Sequence, residues 1–461
     1  MPFIAAFFTD GEILAARNHS ASRVKSLRFK LLDRLPMTCP ESMPARHRTF
    51  KLVLVPLLFF SLLGQLAVVW TQLPDIRDGY FDFPLYYSAA RIINDGNGAH
   101  LYELEVQRQY QKAFRPAASD RDLPFNHPPY ELLPLLIPAK FSFPVAHLVW
   151  SALNLTLVAL IMVRIWLFIE PKHRALSALM LFAFFPTLTA LKMGQDSIIT
   201  TYLLVEAFVA LRRRQFAKAG GLLALGLYKP QFVLPLLGIL ALRRKWQCAI
   251  AFLTVALLLG AISLAMVSRN GLLELLSLWS PMIHRGHVVW PELMTNLRGL
   301  IYIVLNLLNV SALTNALTLI ASVLVYAVAI RLWSGETQRS ELFDLSFALA
   351  IVATALVSFH LYSYDGMLLI IPLIIVVNEV LKDPETHPVK ERILLTVLFV
   401  LFFPLLPNLL LMTGLLAWWA LPLPVLFGII AVAVRRLSLA GSGATGAVAV
   451  SLREERVCGT P

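Results

Sequence analysis

Apolar runs recur along the whole of this 461-residue chain, and several, such as 52–73, 249–267 and 313–333, are long enough to cross a bilayer as helices. A helix rises 1.5 Å per residue and the hydrocarbon core is ~30 Å thick, so a run of about 20 apolar residues suffices. Lipid offers no partner to backbone N–H and C=O groups, which leaves helices and closed barrels as the only spanning structures. Composition agrees: 58% of residues are hydrophobic and 15% charged, against roughly 45–50% and 25% in soluble domains. A soluble enzyme is excluded. The expectation is an all-α polytopic membrane protein.

The formal net charge of +12 does not point to nucleic acid, because the Lys and Arg residues form short clusters between apolar runs and no basic face. They read as topology signals. Arg46, Arg48 and Lys51 precede the first run and place its N-terminal end in the cytoplasm by the positive-inside rule. Later clusters (172–174, 212–218, 243–245, 331–339, 382–392, 435–436) alternate well with spans near 52–73, 145–169, 175–191, 196–211, 219–228, 231–242, 246–267, 312–333, 342–358, 366–381, 392–411 and 415–434. That predicts about twelve spans with both termini inside. Residues 1–45 are expected to be a cytoplasmic basic tail, with Met37 or Met43 equally serviceable as a start. Residues 46–436 form the membrane domain, 74–144 its large first periplasmic and juxtamembrane loop, and 437–461 a cytoplasmic C-terminal tail.

Two stretches depart from simple spans. Residues 129–143 are apolar but short and proline-broken, which suggests a juxtamembrane or re-entrant element. Residues 219–242 carry Lys229-Pro230 at their middle and read as two half-helices meeting in a hairpin beside a wet cavity, where broken backbone at membrane depth is tolerated. Cys39, Cys248 and Cys458 are too scattered for a disulfide framework or a thiolate metal site.

In this topology the exterior junctions collect the unusual polar residues: Asp82 with Tyr86 and Tyr87, Asn126 with His127, Gln195 with Asp196, Lys229 with Gln231, then His284, Arg285 and His287, and finally His360, Tyr362 and Tyr364. Each has a plain structural reading. Asp82 is a good N-cap for a helix opening on Phe83-Pro84, Asn126–Pro129 is a rigid turn, Lys229 is a span-end lysine that snorkels, and the tyrosines form an interfacial belt. Together these readings do worse, because an aspartate or lysine at membrane depth costs about 2.5–3.5 kcal/mol and is tolerated mainly at pathways, relays or sites.

A site open to one leaflet suits a lipid substrate, for example a polyprenyl phosphate carrying a sugar. Moving that sugar to an acceptor hydroxyl needs a base, groups that stabilise the departing phosphate, and a cleft for the glycosyl unit. Asp82 suits the base, Lys229, Arg285 and the histidines the phosphate, and Gln195, Asn126 and the tyrosines the sugar hydroxyls. No Asp-x-Asp pair marks a divalent-metal site, so neither metal nor cofactor is expected.

The series Asp82-Phe-x-x-Tyr86-Tyr87-x-Ala89-Ala90, Phe125-x-His127-Pro128-Pro129, Gly194-Gln195, Lys229-Pro230-Gln231 and His360-x-Tyr362-x-Tyr364-Asp365 resembles glycosyltransferase family 87. The resemblance runs over about 50–435 and implies a GT-C-type fold and an inverting transferase with a polyprenyl-phosphate-linked sugar, often mannose, as donor and a lipid or glycan hydroxyl as acceptor. It implies Asp82 as general base and a late histidine, His360, at the donor phosphate or acceptor hydroxyl. His127 stands where many relatives have tyrosine, and Asp196 where asparagine is common. The expected setting is a bacterial inner membrane with the site on the periplasmic side. The competing expectation is a transporter or flippase of a lipid-linked sugar, which would need a polar path continuing to the inner junctions; no comparable cluster is found there.

Overall fold

The computed structural model describes residues 45–114, 123–285, 290–334, 340–382 and 388–457, with side chains described outside 45–47, 279–285, 388 and 441–457. It divides after Arg48. Of the expected basic tail, 1–45, residues 1–44 lie outside the described residues. The second unit begins at Thr49.

The described residues contain helices and no strand. In chain order they are α1 (Ala45–Thr71), α2 (Leu73–Arg77), α3 (Phe83–Asn94), α4 (Leu104–Lys112), α5 (Phe143–Ile165), α6 (Arg174–Ala183), α7 (Phe185–Met193), α8 (Ser197–Arg212), α9 (Phe216–Leu225), α10 (Pro230–Leu242), α11 (Trp246–Arg285), α12 (Leu297–Leu307), α13 (Thr314–Leu332), α14 (Ser340–Val357), α15 (Ile370–Lys382), α16 (Pro388–Phe402), α17 (Leu406–Met412) and α18 (Pro422–Val457). Proline in the first turn opens α3, α5, α7 and α10, where its missing N–H has no intrahelical partner to lose. α14 lies at the centre, buried from Leu342 to Leu356. Phe343 and Phe347 on it pack against Phe208 of α8, with ring centroids 5.9 and 4.7 Å away.

Among the described residues six helices are long and apolar enough to cross a membrane: Arg48–Thr71, Phe143–Ile165, Trp246–Leu278, Ser311–Leu332, Ser340–Val357 and Leu416–Ala440. Two bent pairs raise the number to at most eight, α6 with α7 at 50° and α16 with α17 at 54°. The twelve expected spans are therefore not reproduced, and the shortfall has physical causes. Residues 219–228 and 231–242 form α9 and α10, 10 and 13 residues long, each short of the roughly 20 needed. They turn at Gly226–Lys229, in keeping with the expected pair of half-helices. Residues 366–381 begin as a 3-10 segment, Asp365–Leu369, before α15. α11 breaks at Ser268, which has φ 63, where the expected span 246–267 ends.

α9 lies close against α11 at Gly220, where a Cβ would fall 2.1 Å from the Cys248 carbonyl oxygen. The described parts of the loop 74–144 carry α2, α3 and α4 and 3-10 segments at Pro129–Leu135 and Pro138–Lys140; residues 129–143 do not span. Phe83, Tyr87, Phe125 and Phe143 form a separate core that Trp150 of α5 and Val267 of α11 complete.

Candidate active site

Asp82 occupies the N-cap position of α3, yet its side chain makes no cap hydrogen bond. Its Oδ2 accepts instead from Gln195 Nε2 at 2.7 Å. The Tyr86 hydroxyl, one turn along α3, donates to Gln195 Oε1 at 2.9 Å, and this fixes the amide so that its N–H groups face Asp82. Gln195 is delivered by the sharp corner between α7 and α8. Gly194 has φ +69 there, and a Cβ on it would lie 2.7 Å from the Phe83 Cβ. Both facts require glycine. Trp150 Nε1 holds the corner from α5 by donating to the Gly194 carbonyl at 2.8 Å.

The next residue, Asp196, opens a buried charge cluster. Lys229 Nζ, 4% exposed as a residue, lies 2.7 Å from Asp196 Oδ1 and 2.6 Å from Asp365 Oδ1. Ser197 Oγ donates to that same Asp365 oxygen at 2.7 Å. Lys229 also sits 5.4 Å from the centre of the Tyr364 ring. This lysine does not snorkel. A buried ammonium between two carboxylates satisfies the requirement that charges in a low-dielectric interior be paired.

A third carboxylate, Glu131, is buried beside them. Its Oε2 lies 2.8 Å from His127 Nδ1. Burial first, and then the neighbouring Asp196, push the Glu131 carboxyl well above the usual carboxylate range. Burial pulls His127 down to about 4, against the charge of Asp196. Both shifts favour a neutral carboxyl–imidazole pair over an ion pair. His127, Glu131 and Asp196 bring one nitrogen and two carboxylate oxygens within 4.8 Å of one another, so among the described residues these three could hold a cation. His127 and Glu131 already pair with each other, and Asp196 pairs with Lys229.

From Lys229 the site extends along α10 to Gln231, whose Nε2 donates to His360 Nε2 at 3.2 Å. Burial lowers the His360 pKa and keeps the ring neutral. Tyr362 packs 5.7 Å from His360 and 6.0 Å from Tyr364, centre to centre. The 358–361 segment is fastened to the start of α12: Thr295 N donates to the Leu361 carbonyl at 2.8 Å, and Asn296 Nδ2 to the Ser358 carbonyl at 2.8 Å.

Ten of the residues expected from the sequence thus fall into one connected set: Asp82, Tyr86, His127, Gln195, Asp196, Lys229, Gln231, His360, Tyr362 and Tyr364. Tyr87 serves the loop core, donating to the Phe141 carbonyl at 2.8 Å. Asn126 is half-buried next to His127. His287 and the side chains of His284 and Arg285 lie outside the described residues. Glu131, Ser197, Asp365 and Arg298 belong to the set without having been assigned from sequence. Glu131 and Asp365 carried the same signal as Asp82, a carboxylate inside or beside an apolar run, where its cost calls for a partner.

The model of glycosyltransferase family 87 matches residues 125–358, just over half of the chain, a stretch that begins after Asp82 and ends before His360. No curated protein and no solved structure matches.

Proposed function

The chain belongs to glycosyltransferase family 87, and on that premise we propose that it transfers a hexose, mannose in our reading, from a polyprenyl phosphate to a hydroxyl of a lipid or glycan acceptor, with inversion. It is a multi-pass membrane glycosyltransferase, and the family carries a GT-C fold. We place the reaction at the outer face of a bacterial inner membrane.

Asp82 acts as the base. Its carboxylate takes the proton of the acceptor hydroxyl as the acceptor oxygen bonds to the anomeric carbon; the bond from that carbon to the phosphate oxygen breaks, and polyprenyl phosphate leaves. A single displacement of this kind inverts the anomeric centre. Gln195 orients the carboxylate, Tyr86 orients Gln195, and Gln231, His360 and the tyrosines line the sugar and phosphate. Lys229, with its charge taken up by Asp196 and Asp365, supports the site by holding three segments together.

The observation that carries this reading is that the Asp82 side chain leaves its helix uncapped and turns to Gln195. A structural N-cap would do the reverse. The test is transfer by purified Asp82→Asn with polyprenyl-phosphomannose, followed as released polyprenyl phosphate. Loss of a general base predicts a fall in turnover on the order of 10²–10⁴-fold in a protein that still folds. Turnover near that of the parent ends the assignment.

A further inference from the structure

A donor that leaves as a phosphate needs a cation whose charge is not already spent. Lys229 does not qualify, since two carboxylates hold it. Lys192 keeps its charge, but its Nζ is tied to Gln72 Oε1 at 2.8 Å. Arg298, in the first turn of α12, is different. It is 8% exposed and its Nε is buried with no hydrogen-bond partner. Its Nη1 makes one long bond, 3.4 Å, to the Phe359 carbonyl, and its Cζ lies 4.5 Å from the centre of the Phe359 ring. Among the described residues no carboxylate forms an ion pair with it.

A buried guanidinium whose Nε–H is unmet and whose one hydrogen bond within the protein is long is costly. The fold nevertheless fastens it in place, because the hydrogen bonds of Thr295 and Asn296 to Leu361 and Ser358 lock α12 onto the segment that carries His360. The Arg298 charge is felt at His360 and at Tyr362, both in the connected set that reaches Asp82. An unspent planar donor fork at that place matches a phosphate, which accepts two parallel N–H bonds.

We propose that Arg298 binds the phosphate of the lipid-linked donor, and of the polyprenyl phosphate that leaves. This rests on the proposed function, in which the donor is a polyprenyl phosphate. The guanidinium donates to the non-bridging oxygens in the ground state and continues to do so as the bond to the sugar breaks and charge accumulates on the phosphate. His360 sits beside it as a neutral partner.

The test compares two lipids of equal chain length, polyprenyl phosphate and neutral polyprenol, binding to the full-length protein in nanodiscs, with affinities read by native mass spectrometry. The parent protein is expected to prefer the phosphate. Arg298→Gln is expected to lose that preference by on the order of tenfold or more with polyprenol binding unchanged. Arg298→Lys, which keeps the charge but lacks the fork, is expected to retain part of it. Asp82→Asn is expected to keep it. Full preference in Arg298→Gln overturns the proposal while leaving the donor reading intact, whereas a parent protein that does not distinguish the two lipids overturns the donor reading itself. If Arg298→Gln fails to fold, Arg298→Lys decides: an undiminished preference there overturns the proposal.

Discussion

Gln195 Nε2 stands 2.7 Å from Asp82 Oδ2 while the Tyr86 hydroxyl holds the other end of the same amide at 2.9 Å. The amide therefore has one orientation, set by a residue on the same helix as the carboxylate it serves.

Removing that hydroxyl should loosen the carboxylate without removing it. Tyr86→Phe is expected to lower kcat by about 2- to 13-fold, the worth of one hydrogen bond, with KM for the donor little changed. Gln195→Ala, which removes the bond to the charged group, is expected to lose about 10-fold or more. Steady-state kinetics of both variants check this, and a change confined to KM would argue that Gln195 touches substrate directly.

Lys229 should report in stability before it reports in kinetics. Lys229→Ala strips the ammonium from two buried carboxylates, a loss of about 3–5 kcal/mol by precedent. A thermal melt in detergent should show a marked drop in Tm, and Lys229→Ala combined with Asp365→Asn should recover part of it. A variant that melts like the parent and shows only a raised donor KM would return Lys229 to substrate.

The His127 ring gives a pH signature. Its pKa is lowered by burial, to about 4, from about 6.5 in the unfolded chain. The unfolded state then binds more protons than the folded state between those values, so stability is fully present above about 6.5 and is lost as pH falls toward 4. Glu131 acts with the opposite sign. Its pKa is raised by burial and by Asp196, so its contribution is present at low pH and lost as pH rises through its folded value. Melts of His127→Asn against pH should therefore lose less stability on acidification than the parent, and Glu131→Gln should lose more. Parallel curves for all three proteins would remove both assignments.

Much of the site was legible because charge at membrane depth is rare and dear. Asp82, Lys229 and the His360 segment stood out on that ground, and the junctions that held them do meet. Other features were not legible. Whether Asp82 capped α3 depended on a side-chain torsion that no pattern encodes. The pairing of Lys229 with Asp365 joins residues 136 apart, and nothing local in the chain announces it. Nothing in the sequence sets Arg298 apart from other basic residues, because its lack of partners is a property of the fold. The count of spans failed for a related reason: apolar length alone does not tell a crossing helix from a half-helix that turns back at Lys229, or from one bent at Phe184.

The lysine held by two carboxylates also sets a constraint on biogenesis. Translation proceeds from the N-terminus, so the hairpin of α9 and α10 meets the bilayer with Asp196 already made and Asp365 still to be synthesised. An early neutral couple of Lys229 with Asp196 lets that hairpin partition without stranding a cation in lipid, and the later carboxylate then docks onto an existing pair, aided by the hydroxyl of Ser197.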